Sequence, residues 1–186
     1  MSNTTFHAPA AALATPRYDR LSIAFHWLTA VLVGLAYLAI EIRGPSGTAS
    51  RSLWTSVHMG AGLAILTLSV ARLAWRAFRR APPPANEAPL LRRLAGAAHA
   101  ALYVFLVAQP ILGILMLNTG GYPVVVPGLG WSIQVVPAWP LLHGVIKEAH
   151  ELIGNAFYFV IGAHALAALW HHFVVRDDTL RRMAPR

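Results

Sequence analysis

Residues 149–173 read AHELIGNAFYFVIGAHALAALWHHF. No ionised side chain follows Glu151 in this run, yet four histidines, His150, His164, His171 and His172, are set into it. His150 and His164 are 14 positions apart. At about 1.5 Å and 100° per residue, that places them about 21 Å apart along one helix with only about 40° of rotation between them. Two imidazoles on one face, separated by most of the apolar thickness of a bilayer, predict two cofactor positions rather than one.

The composition agrees with a membrane setting. Hydrophobic residues make up 56% of the 186 and charged residues only 12%, with a mean hydropathy of +0.53. A soluble domain carries roughly twice that share of charge, so the chain is read as an integral membrane protein. It has room for four spans of about 20 residues. There is no cysteine, which removes disulfides, thiolate ligands and iron–sulfur clusters. Any redox centre must therefore be held by histidine, of which there are nine.

Four apolar segments stand out, at about 22–40, 57–76, 97–117 and 149–173. The first ends at Glu41 and Arg43, and GPSGTASR (44–51) turns the chain back. The second runs out in Arg72, Arg76, Arg79 and Arg80, followed by PPPANEAP, read as an exposed connection. The third carries Pro110, an expected kink that neighbouring helices tolerate. The stretch 118–148 has no helical period, and its Trp131 and Trp139 suit the headgroup region. Residues 1–16 contain no Lys or Arg. They read as a short disordered tail rather than a secretory or mitochondrial signal, ahead of a single four-helix domain at 17–186. The fold class is all-α, with no internal repeat.

With four spans, both termini and the middle loop share a side. Twelve arginines, from Arg17 to Arg186, fall there, against Arg43, Arg51 and Lys147 on the other. The positive-inside rule then puts both termini in the cytoplasm. Depth follows from this topology. His58 and His150 pair near the outer face, and His26 and His164 near the inner face, each pair drawn from two helices. A lone intramembrane histidine is more often a hydrogen-bonded structural residue, but four that pair by depth need a stronger reason. A zinc or proton-relay site would want carboxylates at the same depth, and the only nearby acids are Glu148 and Glu151. Bis-histidine haem is the better answer. Gly60, Gly62, Gly154 and Gly162 lie beside these histidines, where small residues admit a flat macrocycle, although each alone reads equally as a packing glycine.

YDRLSIAFHWL (18–28), SVHMGAG (56–62), EAHELIGNAFYFVIGAHALAALWHHF (148–173) and DDTLRRMAP (177–185) resemble the bacterial cytochrome b561 family, most nearly its superoxide:ubiquinone oxidoreductase (superoxide oxidase) branch. The resemblance runs from about residue 17 to the C-terminus and is loose over 118–146. It implies a four-helix cytochrome of the bacterial inner membrane with two haem b, whose axial ligands fall on His26 and His164 (inner) and on His58 and His150 (outer). It also implies superoxide as the periplasmic electron donor and ubiquinone as the acceptor. The superfamily includes cytochrome b anchors of hydrogenases and formate dehydrogenases. The short loops here favour the free-standing branch, with membrane lipid around it, no obligatory protein partner and no nucleic acid.

Further residues take expected roles on this reading. Lys147, three before His150, and Arg51 form a cationic mouth that draws in a small anion; a plain interfacial anchor at the helix start is an equal reading of Lys147. His171 lies about 10 Å beyond His164 on nearly the same face and is a candidate for the quinone headgroup. His99 faces the same region, with propionate or water as its alternative partner. Phe157 lies midway between His150 and His164 as core packing. Arg17 and Arg20 pair with inner propionates or with anionic lipid. His7, His143 and His172 read as surface residues. The rival functions are a haem b electron-transfer or anchor subunit linking a periplasmic dehydrogenase or soluble cytochrome to the quinone pool, and a haem-free transporter or structural bundle.

Overall fold

The computed structural model describes residues 17–79, 82, 88–126 and 128–185. The tail at 1–16 with His7, the loop residues 83–87, Arg80 and Arg186 lie outside the described residues. Four long helices account for most of the rest: α1 (Arg20–Ile42), α2 (Ala49–Phe78), α3 (Pro89–Thr119) and α4 (Pro140–Trp170). Each is long and apolar enough to cross a membrane. At about 1.5 Å per residue even the shortest exceeds the roughly 30 Å hydrocarbon core. The chain is a multi-pass membrane protein with an all-α bundle.

Local chemistry sets the helix starts. Asp19 caps α1, accepting from Ser22 N at 3.0 Å and from Ser22 Oγ at 2.7 Å. Thr48 caps α2 by accepting from Arg51 N at 3.2 Å. Pro89 and Pro140 stand at the first helical positions of α3 and α4, where a missing N–H costs nothing. The helix α3 continues across Pro110. Adjacent helices pack in sequence order, α1 on α2, α2 on α3 and α3 on α4. Small residues make the α1–α2 contact close: Ala36, Ala61 and Ile65 form a buried cluster with Leu32, Val33, Leu35 and Leu106 around it. Outward faces carry exposed Leu28, Val31, Leu38, Val104, Phe159 and Leu166, the surface that lipid covers.

The stretch 118–148 departs from the expectation. It stays irregular only to Trp139. A short antiparallel pair, β1 (Val124–Val125) with β2 (Ser132–Ile133), folds over the end of α3, and α4 begins nine residues before the apolar run does. The segment PLLHGVIKE is helical although its apolar pattern is diluted by His143, Gly144, Lys147 and Glu148. One consequence is that His150 lies three turns into α4, and His58 likewise lies well inside α2. Asn118 organises the connection. Its amide nitrogen donates to the carbonyls of Tyr122 and Ile133, both at 3.1 Å, and its oxygen accepts from Val135 N at 2.7 Å. Gly121, at φ +88°, supplies the left-handed turn that this requires.

At the opposite end the C-terminal segment folds back as a strap. Arg17 donates through Nε and Nη2 to the Arg181 carbonyl at 3.2 and 2.7 Å. The Trp27 indole donates to the Met183 carbonyl at 2.7 Å. Asp19 also accepts from the Trp75 indole at 3.1 Å. Burial works against the Asp19 charge, but the bonds from Ser22 and Trp75 outweigh it and hold the carboxyl below its usual range.

Asn118→Ala removes the three bonds that this fully buried side chain makes to the loop backbone and is expected to destabilise the protein by about 1–3 kcal/mol. Thermal unfolding in detergent reads this, and an unchanged melting temperature would remove Asn118 from the account of the loop.

Candidate functional site

Four histidines on three helices meet in two pairs. His26 of α1 and His164 of α4 have ring centroids 6.4 Å apart, with planes at 72°. His58 of α2 and His150 of α4 are 6.3 Å apart at 85°. These separations test the fit of a metal between the rings. An imidazole nitrogen binds a metal at about 2.0 Å, and the ring centre lies about 1.2 Å behind that nitrogen. Two rings on opposite sides of one metal are therefore about 6.4 Å apart, and both pairs meet that condition to within 0.1 Å. All four side chains are half-buried.

The pair His58/His150 opens into a cavity of about 470 Å³, in the size range of a ligand site. Its walls are mainly apolar and include Val33, Ala36, Gly62, Leu63, Gly113 and Ile114. A Cβ on Gly62 would meet nothing within 4 Å, so the space beside it belongs to the cavity. A Cβ on Gly113 would come within 3.3 Å of His150 Cε1. Gly154 lines the cavity as well, and a Cβ there would stand 3.0 Å from Gln109 Nε2. His58 is already oriented, with Nδ1 2.9 Å from the Ala36 carbonyl. That contact makes Nδ1 the protonated nitrogen and leaves Nε2 as the donor atom.

The pair His26/His164 has a third histidine beside it. The His99 ring lies 5.3 Å from that of His164, with its own Nδ1 2.7 Å from the Ala95 carbonyl. Arg72 is within electrostatic reach of His26 and His164 and lies over the Tyr103 ring. Between the two levels Phe157 stacks on Phe105, centroids 4.0 Å apart and planes at 9°, so its role is packing across α3 and α4.

His171 closes α4 where the helix widens into a π turn, His171–Val175. Its Nδ1 is 2.6 Å from Asp177 Oδ2, and Thr179 N donates to the other oxygen at 2.8 Å. The sequence signals no acid for His171. Arg176, in the left-handed region at φ 58°, reverses the chain and returns Asp177 to the helix end. Burial opposes the Asp177 charge, but hydrogen bonds from His171 and Thr179 outweigh it and hold the carboxyl below its usual range.

Two other histidines were misplaced as surface residues. His143 is half-buried, with Nδ1 2.9 Å from the Met116 carbonyl of α3, because α4 already exists at that position. His172 has its Nδ1 buried. The cationic mouth also differs in detail. Lys147 lies within α4 and reaches Glu151 at 3.9 Å, both side chains more than half exposed. Arg51 donates to the Gly44 carbonyl at 3.1 Å. Arg43, which the sequence reading gave no role, lines the cavity together with Glu151 and Asn155. Gln109 and Tyr37 line it as well. Gln109 did leave a signal, as a lone amide in an apolar helix immediately before Pro110. Arg17 is engaged by the strap.

An all-α membrane bundle whose interior holds imidazoles in pairs at two levels, each pair spaced for one metal, belongs to the class of membrane b-type cytochromes. Comparison with known proteins narrows the class. Residues 17–186 match the family Prokaryotic cytochrome b561. The chain is 36% identical over 171 residues to a Yersinia pestis protein named probable superoxide oxidase CybB, covering 91% of this chain and 97% of the other. It is 35% identical over 178 residues to cytochrome b561 homolog 1 of Escherichia coli K12, with 91% and 98% covered. A cytochrome b562 of Cereibacter sphaeroides is 30% identical over 174 residues, with 90% and 95% covered. The chain belongs to the prokaryotic cytochrome b561 family, and is a membrane electron carrier that uses haem b.

Asp177→Asn removes the charge that holds His171 and loosens the strap. Trypsin cleavage after Arg176 is expected to quicken several-fold. The depressed carboxyl pKa means that the wild-type contact is fully present above the ordinary value of 3.8 and is lost only as the pH falls through the lower folded value. The protection that Asp177 gives the wild type should therefore stay constant between about pH 5 and 8. Equal rates in the two proteins would remove the contact from the closure of this end.

Proposed function

We propose that the protein is a superoxide:quinone oxidoreductase. It holds one haem b between His58 and His150 and a second between His26 and His164, with both termini in the cytoplasm. The observation that carries the reading is the pair spacing, 6.3 and 6.4 Å between ring centroids, repeated about 21 Å apart along α4. The superoxide part rests on the relative named probable superoxide oxidase and on the charge arrangement. Held by these imidazoles, haem b would supply one-electron outer-sphere transfer.

The chain's own residues do the rest. Arg43 at the cavity wall, with Lys147 and Arg51 outside it, attracts a small anion to the end where α2 and α4 begin. The apolar walls of that cavity limit water near the His58/His150 pair. At the other end, Asp177 Oδ2 fixes His171 Nδ1 as the protonated nitrogen, which leaves Nε2 as the proton-exchanging atom for a quinone carbonyl. His99 stands beside His164 and offers a second such ring. The overall balance is two superoxide anions giving two dioxygen molecules, while one quinone takes up two electrons and two protons.

Haem content tests the ligand assignment. His58→Ala or His150→Ala is expected to lower haem from two to one per polypeptide, as is His26→Ala or His164→Ala. One substitution from each pair should remove both. An unchanged pyridine haemochrome value for His58→Ala would exclude the outer assignment.

Activity tests the reaction. Purified protein supplied with enzymatically generated superoxide is expected to form quinol only when quinone is present. His171→Ala should raise the quinone concentration needed several-fold with haem content intact. Haem reduction by a soluble cytochrome or dehydrogenase, and none by superoxide, would overturn the proposal in favour of an electron-transfer subunit.

A further inference from the structure

The two rings of the outer pair are not equally supported. His58 Nδ1 has its acceptor, the Ala36 carbonyl at 2.9 Å. His150 Nδ1 is buried and has no hydrogen-bond partner. A neutral imidazole that binds metal through Nε2 carries its proton on Nδ1, and a buried N–H without an acceptor is costly. An acceptor must therefore be found for it once Nε2 is engaged.

Gln109 of α3 is placed to supply one. Its amide Nε2 donates to the backbone carbonyl of His150 itself at 2.6 Å, while its Oε1 is buried without a partner. Gly113, one turn further along the same face of α3, comes within reach of the same imidazole edge: a Cβ there would lie 3.3 Å from Cε1 and 3.8 Å from Nδ1. The Nδ1 edge of His150 is thus turned toward the face of α3 that carries Gln109. Among the described residues, the other buried side-chain oxygens without a partner are those of Thr29 and Ser69, on α1 and α2. Gln109 already touches His150. The close fit extends to Gly154, where a Cβ would crowd the same amide at 3.0 Å.

We propose that Gln109 is a positioning residue for the outer haem: its amide holds His150 at two points, donating to the backbone carbonyl and accepting the Nδ1 proton through Oε1. The inference rests on the assignment of His150 as an axial ligand made above. An acceptor on Nδ1–H makes the imidazole a stronger electron donor to the iron, so Gln109 lowers the potential of the outer couple relative to the inner one. The effect passes through the two contacts that Gln109 makes with His150.

The test is potentiometric titration of the purified holoprotein, with the outer couple defined as the one missing from His150→Ala. Gln109→Met keeps the length of the side chain and removes both hydrogen bonds; it is expected to raise the potential of the outer couple and leave the inner one fixed, with two haems retained. Gln109→Glu keeps an acceptor and strengthens it, so the outer couple should move downward. The low-spin ferric EPR signal of the outer haem should shift in both variants while that of the inner haem stays. If both couples move together, if neither moves, or if both variants move the outer couple in the same direction, the proposal is overturned. Should Gln109→Met not accumulate, the EPR signal of Gln109→Glu decides: a shift confined to the outer haem supports the proposal and an unchanged signal rejects it. If His150→Ala retains both haems, the ligand assignment itself has failed, whatever Gln109 does.

Discussion

Hydrocarbon offers an imidazole nothing to bond with, and this constraint organises the whole molecule. A ring nitrogen in a membrane interior must be met by a carbonyl, a carboxylate or a metal. Nδ1 of His58, His99 and His143 meets backbone carbonyls, and Nδ1 of His171 meets a carboxylate. Nδ1 of His150 and of His172 is buried without such a partner, and the paired rings stand 6.4 and 6.3 Å apart between centroids. The four helices act as the frame that brings α1 and α2 opposite the two histidine levels of α4.

That frame is held differently on its two sides. The α1–α2 contact is lined with small residues, whereas α1 and α4 are bridged by long side chains. The Tyr37 hydroxyl donates to the Gly154 carbonyl at 2.8 Å, and Tyr158 donates to Glu41 at 2.9 Å. Bridges of this kind set a fixed distance between two helices without closing the space between them. Phe105 and Phe157 fill the middle, keeping the two levels separate.

Much of this was legible in the residues because membrane physics leaves few choices. Apolar runs of about 20 residues can only span, alternation of direction assigns depth, and 14 residues of α-helix return two side chains to nearly one face. Those three facts bring His58 to His150 and His26 to His164 without any knowledge of packing. The rest depends on contacts that have no periodic signature. The turn at Arg176 that carries Asp177 back to His171 lies beyond the helix, in a segment that reads only as charged tail. The start of α4 at Pro140 was hidden because an interfacial helix needs no apolar run. Which way Arg43, Lys147 and Arg51 face depends on how each helix is rotated about its own axis, and hydropathy says nothing of that.

The two ends of the bundle are chemically unlike, and the difference bears on direction. At the end where α2 and α4 begin, Arg43, Lys147 and Arg51 stand in and around a mainly apolar cavity whose lining includes Glu151, a surrounding that on the proposed reading draws in a small anion. The other end gathers His99, His171 and Asp177 close to water and closes them with a strap that Arg17 and Trp27 hold. A donor that is an anion and yields one electron needs only the first environment. An acceptor that must take two protons with its two electrons needs the second, because each added electron raises its basicity and a proton must be at hand. The physical asymmetry of the fold therefore matches a reaction that enters as charge alone at one face and leaves as charge with protons at the other.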